Sequence, residues 1–342
     1  SGANAGLGKA ILDAAQLALF ETGRDMTLVP RDTGGTPAGA AAAAHSAIAD
    51  GARLILGPLL AAEVEAVKPI ARDAHVNIIA FSTVTRLAGD GVFLMGFLPR
   101  QEVVREVGYA HERGLDRFAA LAPDTPYGHL MAEALRDVAA ANGGTVAKVA
   151  FYGPSEADSA AAIRTLGGAP AGNSDAAAAA PAPPFGALLV PEGGARLDQI
   201  AGQLQQAGLD QPQVRLLGSG LWDVPDIGKD PALVGGWFAA SPPDPRRAFD
   251  ARFQATYGHA PPRLASLGFD AAALAAVLAH EGGAQPFSQQ AILNPSGFTG
   301  VDGLFRFTPN GLVERGLAVL EVAPQGAVVV SPAPQSFAAV GG

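Results

Sequence analysis

The chain has 342 residues, more than one ordinary hydrophobic core accommodates, and its length suits two domains. Hydrophobic residues make up 49% and charged residues 16%, the reverse of the balance in a disordered chain. With 23 Lys and Arg against 32 Asp and Glu the formal charge is −9, which excludes a general nucleic-acid binder because such proteins need a basic surface. There is no Cys, so disulfides, thiol catalysis and cysteine metal sites are excluded. No apolar run reaches the roughly 18 residues of a membrane span.

Ser1-Gly2-Ala3-Asn4-Ala5-Gly6 opens on a turn-like stretch, with no strand or signal peptide before it, and reads as a processed start. Residues 7–20 carry Leu7, Ile11, Ala14, Ala15 and Ala18 at helical spacing. Residues 26–30 form a short apolar run, expected as a strand. Thr36-Pro37 starts a helix: Thr caps it, and Pro at the first helical position loses no needed N–H. That helix runs to about Asp50, and Gly51 stops it. Residues 53–56 are a strand closed by Gly57-Pro58. Residues 61–75 are a helix bent near Pro69, and 77–81 are the next strand.

The pattern then restarts. Helices are expected at 101–113, 127–141, 155–166 and 195–206, and strands at 117–121, 145–152, 185–190, 214–218 and 235–239. After Ser241-Pro242-Pro243-Asp244-Pro245 come helices at 246–257 and 264–280, then extended segments at 303–307 and 317–322. Strand and helix alternating in this way argue parallel sheets covered on both faces. Residues 167–184 are Gly, Ala and Pro with almost no apolar anchor and read as a flexible loop. Residues 331–342 read as a frayed tail.

The chemical motifs mostly fail on spacing. Gly6-Leu7-Gly8-Lys9 precedes a helix, but Ala3 holds the first glycine position of a P-loop and Ala10 replaces the magnesium-holding hydroxyl. Ile11 fills the place where a dinucleotide fingerprint needs a small residue, and a loop of this kind also simply caps a helix. His45, His75, His111, His129, His259 and His280 form no His-x3-His pair. Gly218-Ser219-Gly220 lacks the glycine spacing of a hydrolase elbow. Glu63 and Glu65 stand two apart on a helix and point to different sides. No nucleophile–base or metal constellation emerges, so no enzyme, cofactor or metal is expected.

Polar residues that follow strands say more, since ligands of doubly wound sheets bind at the carboxyl ends of strands. Five stretches qualify: 57–60, 81–85, 124–128, 191–194 and 218–223. Turn and cap chemistry explains any one of them alone. Taken in order along nearly the whole chain, they resemble the leucine-binding-protein family of periplasmic receptors, the type I periplasmic-binding fold. The carriers are the first loop up to Gly8, Asp50-Gly51-Ala52-Arg53-Leu54-Ile55-Leu56-Gly57-Pro58, Phe81-Ser82-Thr83-Val84-Thr85, Asp124-Thr125-Pro126-Tyr127-Gly128 and Phe269-Asp270-Ala271-Ala272.

The resemblance implies an α/β chain of two Rossmann-like lobes with parallel sheets, three crossings and a cleft between the lobes. Lobe one would be 1–97 plus 243–312, and lobe two 98–242 plus 313–342. It implies a non-catalytic periplasmic receptor that delivers a small polar or amphipathic, amino-acid-like ligand to an ABC permease. A lipid anchor on a longer chain stays open. Gly57-Pro58-Leu59-Leu60 and Asn77-Ile78-Ile79-Ala80-Phe81 also resemble penicillin-binding-protein activators, whose partner is a peptidoglycan synthase. The family's first strand would precede Ser1, so the first sheet is expected to lack a neighbour beside residues 26–30.

The implied ligand-binding residues are Leu7, Ala61, Ser82, Thr83, Thr85, Tyr127, Glu192, Trp222 and Asp223. Two departures bear on the ligand. The family's first serine hydroxyl falls at about Ala61 or Ala62, where none exists. Its acid for the substrate ammonium falls near Gly220, which has no side chain, although Asp223 is close. An ammonium buried without a counter-charge is costly. Leucine, isoleucine and valine are therefore expected to bind weakly.

Overall fold

Several helix starts are fixed by side chains that cap them. Thr36 accepts from Gly39 N, and Thr125 accepts from Gly128 N. Both caps belong to the same four-residue pattern, Thr-Pro-x-Gly. A methyl on Gly39 would lie 1.9 Å from Thr33 O, and one on Gly128 would lie 2.0 Å from Pro123 O. The glycine lets the incoming backbone close against the first helical turn. Ser155 goes further, forming a reciprocal capping box with Asp158.

The computed structural model describes residues 2–22, 26–167, 183–281 and 283–337. The chain divides into two units: unit 1 is Ser1–Leu98, Ser241–Gly316 and Pro334–Gly342, and unit 2 is Pro99–Ala240 and Leu317–Ala333. Unit 1 opens with α1 (Ala5–Thr22), α2 (Pro37–Ala49), β1 (Leu54–Leu56), α3 (Ala61–Asp73), β2 (Asn77–Ala80) and β3 (Val92–Leu94). Unit 2 follows with α4 (Pro99–His111), β4 (Arg117–Pro123), α5 (Pro126–Ala141), β5 (Thr145–Tyr152) and α6 (Glu156–Leu166). It continues through β6 (Ala187–Leu189), α7 (Gly194–Gln206), β7 (Arg215–Leu217) and β8 (Trp237–Ala240). Unit 1 then adds α8 (Pro243–Tyr257), α9 (Ala265–Glu281), α10 (Gln289–Ile292), β9 (Phe298–Gly300), β10 (Gly303–Phe307) and β11 (Val313–Arg315). Unit 2 closes with β12 (Ala318–Ala323) and β13 (Gly326–Ser331).

In unit 2 the strands form one sheet in the order β13-β12-β8-β7-β6-β4-β5. The stretch from β8 to β5 is parallel, while β12 and β13 add on antiparallel. Alternate residues of β4 serve opposite faces, as a period of two requires. Leu121 joins Leu188, Leu216 and Phe238 against α6 and α7. Phe118 and Ala120 join Leu189 and Leu217 against Val103, Val107, Met131 and Leu135 of α4 and α5. Both faces are covered, as a parallel sheet needs.

Unit 1 holds two small sheets, a parallel β1-β2-β3 and an antiparallel β11-β10-β9. They are tied where Leu94 N donates to Gly311 O at 2.8 Å. Helices α1 and α9 meet through small residues, with Ala10, Ala14 and Ala18 packed with Ala265, Ala272, Phe249 and Phe253. The approach is so close that a methyl on Gly268 would lie 2.2 Å from Ile11 O.

Some expectations need correction. Residues 26–30 carry no ladder, because β1 pairs with β2 and no other strand among the described residues pairs with it. An apolar run without a neighbour's N–H and C=O groups is not a strand, and beside it, where a neighbour was expected to be lacking, none pairs among the described residues. Residues 313–316 and the segment from Pro334 group with unit 1, where the sequence had put them in lobe two. The reason is pairing and packing: β11 is laddered to β10, Pro334 packs on Gly316, and Arg306 lies under the Phe337 ring. The expected loop at 167–184 falls largely outside the described residues, and of the tail at 331–342 the last five residues do. Among the described residues of the two stretches, Gly167 ends α6 at φ 103° and Ser331 ends β13.

The α1–α9 contact yields a paired prediction. Gly268→Ala is expected to destabilise unit 1 by about 1–3 kcal/mol through overpacking. Gly8→Ala, whose methyl would meet nothing within 4 Å in the same contact's helix α1, is expected to stabilise by about 0.5–1 kcal/mol. Thermal denaturation of the two variants checks both signs.

Candidate ligand-binding residues

In unit 1 the candidate residues lie at the carboxyl ends of β1 and β2. Because these strands are paired, their following loops are neighbours, and Phe81 N donates to Pro58 O at 3.0 Å. Ala61 is the half-buried first residue of α3, and the N-cap Leu60 offers no side-chain cap. Ser82 is buried, and its Oγ accepts from Val84 N at 3.2 Å. Thr83 and Thr85 are exposed, Thr85 opening a one-turn 3-10 helix. A methyl on Gly96 would lie 2.7 Å from Ser82 O, so this glycine lets the end of β3 close on the loop. Leu7 is half-buried in the first turn of α1. Nearby, buried Glu63 accepts from Thr33 Oγ1 at 2.5 Å.

In unit 2 the equivalent rim gathers carboxylates and phenols. Glu102 and Glu106 stand one turn apart on α4. Glu102 Oε2 accepts from Gly220 N at 2.9 Å, and a methyl on Gly220 would lie 2.6 Å from Glu102 Oε1. The Glu102 carboxylate thus stands where a side chain of residue 220 would begin. Glu106 is 1% exposed and accepts from Ala239 N at 2.8 Å. Burial, helped by the charge of Glu102, pushes its carboxyl well above the ordinary range. Glu192, just past β6, accepts from Tyr152 Oη at 2.8 Å and from Gly193 N at 3.1 Å.

Tyr127 follows the Thr125 cap and is half-buried. Burial and then the charge of Glu102 push its phenol up, with smaller contributions from Glu106 and Glu192, while the Ser219 hydroxyl acts the other way. The Tyr152 phenol is likewise pushed up by burial and by Glu192. Both phenols therefore stay neutral donors at physiological pH. The carboxylates of Glu102 and Glu192 accept hydrogen bonds on this rim, from Gly220 N and from Tyr152 and Gly193 N.

Two expectations change here. Trp222 was expected to pack on a ligand, but it is fully buried. Its indole lies where methyls on Gly218 and Gly236 would be, at 2.2 Å and 2.7 Å, and it meets Phe238 at 6.3 Å between centroids. It is core, because two glycines open room for it under β7 and β8. At Gly220, where no acid was expected, the Glu102 carboxylate stands beside the backbone. Glu102 and Tyr152 were not singled out in the sequence: Glu102 lies 118 residues from its partner, and the signal that could have found it is the Glu102–Glu106 spacing on one helix face. Asp223 is half-buried just beyond the one-turn helix at Gly220–Trp222.

Among the described residues no cluster of three or more His, Asp or Glu could hold a metal ion, and no helix is long and apolar enough to cross a membrane. In comparisons, a family profile described as periplasmic binding protein matches residues 1–327. An uncharacterized protein of Rickettsia prowazekii, RP748, is 24% identical over 151 residues, 44% of this chain. The chain spans only 40% of the length of that curated relative.

Solved structures are similar in fold. A branched-chain amino acid ABC transporter periplasmic ligand-binding protein of Burkholderia xenovorans has a TM-score of 0.75 at 19% identity, covering 99% of this chain and 94% of that one. LivJ of Streptococcus pneumoniae, a branched-chain amino acid transporter substrate-binding protein in complex with isoleucine, has a TM-score of 0.64 at 19% identity, covering 97% of each chain. A solute-binding protein of an ABC transporter from R. palustris, in complex with benzoate, has a TM-score of 0.65 at 19% identity, covering 98% and 94%. With a profile match over residues 1–327 and the sheet orders described above, the chain belongs to the periplasmic binding protein family.

Proposed function

We propose that the chain is a non-catalytic extracytoplasmic receptor that binds a small amine-bearing molecule and presents it to the permease of an ABC importer. The observation that carries this reading is the Glu102 carboxylate at Gly220. A carboxylate held by a backbone N–H on a rim of neutral phenols is a ready counter-charge for an ammonium, which is costly to bury alone. Glu192 and Asp223 add negative charge on the same unit. In unit 1, the hydroxyls of Ser82, Thr83 and Thr85 can donate to a ligand oxygen, and Leu7 and Ala61 offer apolar surface. Family membership and the isoleucine bound by LivJ support the receptor role.

The hydroxyl lacking at Ala61 sets the expected selectivity. Leucine, isoleucine and valine are expected to bind worse than about 100 μM, or about 5.5 kcal/mol. Calorimetry checks this, and a micromolar constant lost on Thr83→Ala would show that a full amino-acid site survives in another form.

The charge reading has its own test, a thermal-shift panel of amino acids, primary amines and their deaminated counterparts. Amine-bearing compounds are expected to stabilise the chain and deaminated ones not. For the best of them, Glu102→Gln is expected to weaken binding tenfold or more, about 1.4 kcal/mol. Asp226→Asn, an exposed partner of Lys229, is the control and leaves affinity unchanged. Equal binding of deaminated compounds would refute a cationic ligand.

A further inference from the structure

Three of the four places where unit 1 hands the chain on or receives it back converge on one buried charge cluster. At the first, Met95 O accepts from Arg315 Nη2 at 2.6 Å, and the Phe97 ring centroid lies 3.9 Å from the Arg263 guanidinium and 4.8 Å from that of Arg315. At the second, Ser241 Oγ accepts from Arg263 Nη2 at 3.2 Å. At the third, Arg315 itself stands next to Gly316, the last residue before the chain leaves. Arg315 is 7% exposed.

Two carboxylates balance these cations. Asp302, 0% exposed, accepts from Arg263 Nη1 at 2.8 Å and has Arg246 Nη1 at 3.7 Å. Arg246 is shared with Asp250 on α8, at 2.8 Å. Asp270 of α9, 1% exposed, accepts from Val301 N at 2.7 Å and Asp302 N at 3.5 Å. The fit is tight: a methyl on Gly300 would lie 2.4 Å from the Asp270 carboxyl.

Two buried carboxyls this close do not both ionise freely. Burial would raise Asp302, but Arg263, Arg315 and Arg246 outweigh it and hold Asp302 below the ordinary range. Asp270 therefore takes the proton: burial, then the charge of Asp302, push it up to about 7.

We propose that Asp270 is a proton-operated clasp on three of the four linking segments of unit 1. Neutral, it leaves Arg263 and Arg315 to Asp302, and these two arginines hold Met95, Phe97 and Ser241 firmly. Ionised, it repels Asp302 and competes for Arg315, and the hold on those segments loosens. The sign follows from linkage. The folded-state value lies above the ordinary 3.8, so the stability this group supplies is full below about pH 4 and is lost as pH rises through about 7.

Hydrogen exchange of the whole chain tests the clasp, with intrinsic rates corrected for pH. Amides at 95–98, 241 and 315–316 are expected to be about tenfold better protected near pH 6 than near pH 8. In Asp270→Asn that difference is expected to vanish. Equal protection at both pH values, or an unchanged difference in the variant, overturns the proposal. If the variant does not fold, the unmodified chain decides. Carboxyl 13C titration should show one aspartate titrating near neutrality, and no aspartate titrating above about pH 6 overturns the proposal.

Discussion

A parallel strand can rejoin its sheet only by a long crossover, and here the crossovers are helices. That constraint orders the rest of the chain. Helices must cover both faces, so the central strands of unit 2 are apolar on both sides and their side chains are spent on packing. What remains for chemistry is the turn after each strand. Tyr127, Glu192 and Gly220 follow β4, β6 and β7, and Ser82 to Thr85 follow β2, for that one reason. Glycine recurs at those turns where a helix start closes on the strand before it, as at Gly128.

The same logic explains how much the sequence disclosed. Long alternating segments were legible because each element repeats its own period: Thr145–Tyr152 and the helix from Ser155 were found nearly to the residue. Short strands such as Val92–Leu94 and Phe298–Gly300 offer too few residues for a period to show. Residues 26–30 misled for the opposite reason, an apolar run whose pairing depends on a neighbour. Ser82 in unit 1 and Tyr127 and Glu192 in unit 2 were legible by position after a strand. Glu102 was not, since its meaning comes from a contact that exists only once the sheet is assembled. Trp222 was over-read, because aromatic character near a loop does not say which way the ring turns.

Charge inside the two units is handled differently. In unit 2 burial, helped by the charge of Glu102, pushes the carboxyl of the most buried rim acid, Glu106, well above its ordinary range. In unit 1 the buried acids are surrounded by guanidiniums, which hold Asp302 below the ordinary range, while its neighbour Asp270 is pushed up to about 7. Breaking a buried charge arrangement by removing one partner is costly, so neither set is a neutral place to substitute. Both sets are reached from helices, α4 in one case and α9 in the other, whose opposite faces are committed to the core.

The bare backbone at residue 220 separates two properties that a single side chain would have joined. Were the acid grown from residue 220 itself, its charge and the path of the β7 loop would change together. Here the loop supplies only an N–H, and the charge arrives from α4. One substitution on α4 would therefore change the charge beside this loop, and the bond to Gly220 N with it, while every residue of the loop itself stayed the same.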